Sequence, residues 1–86
     1  MMAGGFIVAR HLAETAADLG ALAGAGRVVE GEAAACAEAD RIVRANRGTI
    51  ESCRVEVLDV VITVRVGGPA GWGDAKASAR AGPERA

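Results

Sequence analysis

The sequence predicts an α+β fold in which two helices pack on a small antiparallel sheet of about three strands. Apolar residues first recur at three- and four-residue steps over the leading part of the chain. From Thr49 the period changes to two, and that alternation inverts its phase near Val57-Leu58, as it does where a strand doubles back. A last alternating run, Ala75 to Ala81, supplies the third strand.

Length and composition bound what such a fold can be. The chain has 86 residues, one domain over 1–86, and its 51% apolar content is mostly Ala and Val, with one Phe, one Trp and no Tyr. A fully buried large side chain contributes about 1.5–3 kcal/mol, so this composition gives a thin core to which a covalent or intermolecular staple adds much. The formal charge is −1 with both signs interspersed, which leaves no electrostatic footprint for nucleic acid and no polybasic patch for a membrane surface.

The first helix is expected over 6–25. Val8, Leu12, Ala16, Leu19, Leu22 and Ala23 form one stripe, and Arg10, Glu14 and Asp18 form the opposite ridge, with Arg10 and Glu14 a weak pair. Gly20, Gly24 and Gly26 each cost about 0.5–1 kcal/mol relative to Ala inside a helix, so the helix should end near Gly24–Gly26. Close backbone approach by a neighbour is the alternative reading of these glycines. The apolar start, Gly4 to Ala9, stops at Arg10, far below the ~20 residues a spanning helix needs. It also lacks the basic leader and small-residue cleavage site of a secretory signal. The abrupt change at Arg10-His11 leads us to expect the soluble remainder of a longer protein whose membrane segment lies upstream.

A second helix is expected over 31–47. Glu30 and Glu32 stand at its start and Arg41, Arg44 and Arg47 at its end, as the helix dipole favours, with Gly48 as C-cap. Its inner stripe is Ala35, Cys36, Ala39, Ile42 and Val43, with the pair Asp40–Arg44 on the wet side.

For the hairpin, a reversal centred on Val57-Leu58 sets Val55 opposite Val60 and Cys53 opposite Ile62 on one face. Ser52, Arg54, Val61 and Thr63 share the other. Glu56-Val-Leu-Asp59 has no Gly or Asn for a tight primed turn, so a longer loop or a bulge is expected there. The Gly-rich stretch Gly67 to Gly73 breaks the sheet pattern, Lys76 and Arg80 protect the third strand as an edge, and the chain from Pro83 is expected to fray.

The two cysteines are the strongest chemical signal. The pattern places Cys36 on the inner stripe of the second helix and Cys53 on the inner face of the first strand, so both thiols enter the helix–sheet layer. A disulfide there would add about 3 kcal/mol on the chain-entropy argument and imply an oxidising compartment, the extracytoplasmic envelope or beyond. Two buried free thiols are the other reading. The remaining candidates are weaker. His11 and Glu14 lie one turn apart, but no second histidine exists to complete a metal site. Neither cysteine belongs to a CxxC pair, and Gly67, Gly68, Gly71 and Gly73 do not join a strand to a helix as a phosphate cradle does. Trp72 serves either as a cap on the thin core or as a partner-binding anchor. One His and two Cys yield no nucleophile–base–orienter set, so no catalytic residue, metal or cofactor is expected.

Taken in order, Val8 to Ala23, Ala34-Ala-Cys-Ala37, Ala45-Asn46, Ser52-Cys-Arg-Val55, Leu58 to Val64 and Ala77 to Pro83 resemble the TadE-like proteins of actinobacteria. These are small pilin-like proteins encoded near tight-adherence pilus and secretion genes. The resemblance spans nearly the whole chain, and the two cysteines match positions where many members carry a pair. It implies a helix stub at 6–25 and a pilin-like head at 31–82. It further implies a non-enzymatic pseudopilin subunit whose Val8, Leu12, Leu19 and Leu22 meet either the domain's own sheet or neighbouring helices, with other subunits, secretion-apparatus proteins or copies of the chain itself as partners. The membrane-spanning half of the pilin helix and the prepilin cleavage region do not occur in this sequence. The rival expectation is a small secreted binding protein or effector that uses a pilin-like head without polymerising.

Overall fold

A computed structural model describes residues 4–67 and 74–82, with side chains in the first helix from Ala9 onward. Helix α1 spans Gly4–Ala25, α2 spans Glu32–Ala45, and strands β1 Thr49–Glu56, β2 Asp59–Val66 and β3 Ala75–Ala81 follow. A 3-10 turn at Val28–Glu30 joins the helices, an element the sequence reading did not contain. The strands form one antiparallel sheet in the order β1-β2-β3, and both helices lie on one of its faces, giving the expected α+β fold.

The hairpin register is the one the alternation dictates, with Cys53 opposite Ile62, Val55 opposite Val60 and Glu56 opposite Asp59. The connection, however, is a tight two-residue turn rather than a longer loop. It forms because Val57 takes φ +60°, a left-handed conformation rarely adopted by a β-branched residue, with its side chain 95% exposed. A bulge does occur, but at the other end of β1, between Ile50 and Ser52.

Small residues build the helix layer. The buried face of α1 is Ala9, Ala13, Ala16, Ala17 and Ala21, not the leucine stripe the periodicity selects. Leu12 is half-buried against this core, while Leu19 and Leu22 are 41% and 62% exposed. The helix ends at Ala25, within the expected Gly24–Gly26 stretch, and Gly20 and Gly24, which lie inside it, also permit close approach. A Cβ on Gly20 would come within 2.6 Å of Val43 Cγ2, and one on Gly24 within 2.9 Å of the Ala35 carbonyl oxygen. Alanine and glycine thus bring α1 down onto α2 and the sheet, where Val43, Val60, Ile62 and Val64 are the largest fully buried side chains. Because α1 packs on α2, β2 and β3 alike, it belongs to the same core as the rest of the described chain.

Helix α2 stops earlier than expected, at Ala45, and Arg47 rather than Gly48 takes the left-handed position, φ +68°. Arg47 N–H donates to the Arg44 carbonyl (3.1 Å) and Gly48 N–H to that of Val43 (2.9 Å), a Schellman closure. Gly48 instead serves packing: a Cβ there would meet Val43 and Val64 methyls at 2.9 Å.

Candidate assembly surface

Cys36 and Cys53 are joined by a disulfide, with an S–S distance of 2.08 Å and Cα atoms 5.9 Å apart. Both residues are half-buried, and the bond ties the second turn of α2 to the middle of β1. One turn earlier on α2, Glu32 Oε2 accepts a hydrogen bond from the Val55 backbone N–H at 2.9 Å. The helix is therefore fixed to this edge strand twice, once covalently and once by a charge-assisted hydrogen bond.

The sheet face away from the helices is polar and self-neutralising. Arg65 reaches Glu51 (3.4 Å) and Asp74 (3.5 Å), and Lys76 also reaches Glu51 (3.2 Å), whose placement follows from the bulge. Toward the hairpin, Arg54 holds Glu56 at 2.6 Å, and Arg80 bridges Glu56 and Asp59. Hydrogen bonds from Arg54 and then Arg80 hold the Glu56 carboxyl below its ordinary range. Thr63 and Ser78 link hydroxyls between the two groups at 3.0 Å. Four cations thus meet four carboxylates, leaving no net field to attract a polyanion.

Apolar exposure lies elsewhere. Leu19 and Leu22 occupy the last two turns of α1, Val29 projects from the 3-10 turn, and Val57 and Leu58 form the hairpin tip. Glu32 with Val55, and the Gly24 position with Val60, bring the start of α2 and the end of α1 to the hairpin end of the sheet. Of the interface residues read from the sequence, Leu19 and Leu22 are exposed and Leu12 is half-buried. The side chain of Val8 and the whole of Trp72 lie outside the described residues. Val29, Val57 and Leu58 were missed; for the last two, the signal was an apolar pair standing where turn chemistry calls for Gly or Asn. His11 is exposed, and no three His, Cys, Asp or Glu side chains among the described residues converge as a metal site. No helix among them is long and apolar enough to cross a membrane.

These features define a small, disulfide-stapled α+β domain whose large exposed apolar side chains, among the described residues, stand on the last turns of α1, the 3-10 turn and the hairpin tip. Over 55 residues the chain is 54% identical to a protein of Mycobacterium tuberculosis (strain ATCC 25618 / H37Rv) named apoptosis inhibitor Rv3654c. The match covers 64% of this chain and 66% of the relative, so the chain spans just under two thirds of that protein's length. No protein-family profile matches the sequence, and no solved structure matches it.

Proposed function

We propose that the chain is a non-enzymatic, pilin-like subunit of a tight-adherence-type pilus or secretion apparatus, working outside the cytoplasm. The observation that carries this reading is the division of labour on α1. Its inner face is closed with Ala and Gly, while Leu19 and Leu22, its large apolar side chains near the C-terminal end, are left in solvent. A helix that turns its smallest residues inward and its last two leucines outward is suited to meeting a neighbouring subunit. The Cys36–Cys53 bond supports an oxidising location, where a half-exposed disulfide persists.

Assembly tests the proposal. Sedimentation velocity over a concentration series should show larger species that Leu19→Glu disperses, since placing a carboxylate in an apolar contact should weaken association by at least about tenfold. A second reading is a secreted binding protein or effector that does not polymerise, and the name of the mycobacterial relative, an apoptosis inhibitor, favours it. A strict monomer indifferent to Leu19→Glu would support this second reading and reject the first.

A further inference from the structure

Strand β3 is hydrogen-bonded to β2 on one side only, so among the described residues its other edge presents unpaired backbone groups. Beside that edge, between α1 and β3, lies an open depression of about 250 Å³ lined by Asp18, Ala21, Leu22, Ala79, Arg80 and Ala81. The Arg80 guanidinium is already held by Asp59 and Glu56 on the opposite face of the sheet. Asp18 has no hydrogen-bond or ion-pair partner among the described residues. The depression thus combines a short apolar wall, Ala21, Leu22, Ala79 and Ala81, with one uncommitted carboxylate.

We infer that this edge and depression form a peptide-binding site that takes an extended segment as a fourth strand, with an arginine or lysine of that segment seated in the depression. Backbone groups of β3 would supply the ladder. The aliphatic stem of the basic residue lies along Leu22 and the alanines, and its charged head reaches Asp18. The small inner-face residues of β3, Ala77, Ala79 and Ala81, leave room for long side chains on the incoming strand. In the register centred on Ser78, charge disfavours a second copy of the chain as the occupant. Symmetric pairing of two β3 strands about Ser78 sets Lys76 of one copy opposite Arg80 of the other, which is unfavourable. The depression shares Leu22 with the proposed assembly face, and the two readings are told apart by Leu19→Glu, which disrupts assembly without altering the lining of the depression.

Fluorescence anisotropy of the full chain with a labelled peptide, Thr-Val-Thr-Arg-Thr-Val-Thr, tests the inference. Saturable binding is expected, with protection of Ala77–Ala81 amides from hydrogen exchange. Replacing the central Arg of the peptide with Glu should abolish binding, and Asp18→Asn, an exposed and structurally neutral change, should weaken it by at least about tenfold. N-methylation of alternate peptide amides should abolish binding for one set of positions and spare it for the other, as one-sided strand pairing requires. The inference is overturned by no binding up to about 1 mM, by binding indifferent to Asp18→Asn, or by equal tolerance of both methylation sets. A peptide-free dimer with protected β3 amides would also overturn it, since a second copy would then hold the edge.

Discussion

Gly24 sets the distance between the two helices, and replacing it should reverse the usual sign of a glycine-to-alanine change in a helix. In an open helix, Gly24→Ala would gain up to about 1 kcal/mol from backbone propensity, and less this close to the C-terminal end. Here the new methyl would stand 2.9 Å from the Ala35 carbonyl oxygen and 3.2 Å from Val60 Cγ1. The first of these is backbone, held in α2 by its own ladder, and the second belongs to a fully buried side chain. Ordinary contact can return only if α1 lifts by roughly half an ångström along a face whose alanines have no longer side chains to follow it. Overpacking of this kind costs about 1–3 kcal/mol, so the net loss should be about 1–2 kcal/mol after the propensity gain. For a domain of 86 residues that corresponds to a fall in Tm of about 5–15 °C. Gly26, two positions on, is the internal control: a Cβ there meets nothing closer than 3.4 Å. Gly26→Ala should therefore be neutral or stabilise by up to about 1 kcal/mol through the unfolded state. Thermal unfolding followed by circular dichroism measures both. If Gly24→Ala melts at or above the parent temperature, the close-approach account of α1 is wrong.

Three further outcomes follow from the same geometry. Removing the disulfide with Cys36→Ala and Cys53→Ala together should cost about 3 kcal/mol, the loop-closure value for a separation of 17 residues, and urea unfolding should show a lower midpoint with a larger m-value, because the unlinked denatured chain exposes more surface. Val57→Gly should stabilise by up to about 1 kcal/mol, because glycine adopts the positive φ of the turn without steric cost, and a lower unfolding midpoint would contradict the turn geometry. Glu56 titrates below the ordinary carboxylate range because Arg54 and then Arg80 bind its charged form, so its contribution is present above that range and lost as pH falls through the lowered folded value. An NMR titration should find the Glu56 midpoint moving up in Arg54→Met, and an unmoved midpoint would discount the hydrogen bond.

Different parts of this fold were legible to different degrees, for physical reasons. The register of β1 and β2 could be read because a shift of one residue would turn Cys53, Val55, Val60 and Ile62 to the solvent face together. The alternation of Ala75 to Ala81 with Lys76, Ser78 and Arg80 likewise identified an edge strand despite the helix preference of alanine. The buried face of α1 was misread because hydrophobicity ranks Leu above Ala, whereas close helix packing selects for small size. The spacing of Gly20 and Gly24, with Ala13, Ala16, Ala17 and Ala21 around them, carried that information. Gly48 was taken for a cap because glycines usually close helices, but here the left-handed position fell to Arg47 and the glycine was needed against Val43 and Val64. The cysteine pair was legible as two inner-face positions that a disulfide could join, and the structure joins them. Nothing in the sequence pointed to the depression at β3, since it arises from the relative placement of Asp18 and Ala79, which are distant in the chain.

The carboxylate of Glu32 has a consequence for how this sheet could ever grow. It occupies the Val55 N–H beside the Cys36–Cys53 bond, so one donor on the β1 margin of the three-stranded ribbon is already taken, whereas no side chain among the described residues is bonded in this way along Ala75–Ala81. Pairing along β1 would have to displace this contact, so β3 is the margin at which a further strand meets less opposition.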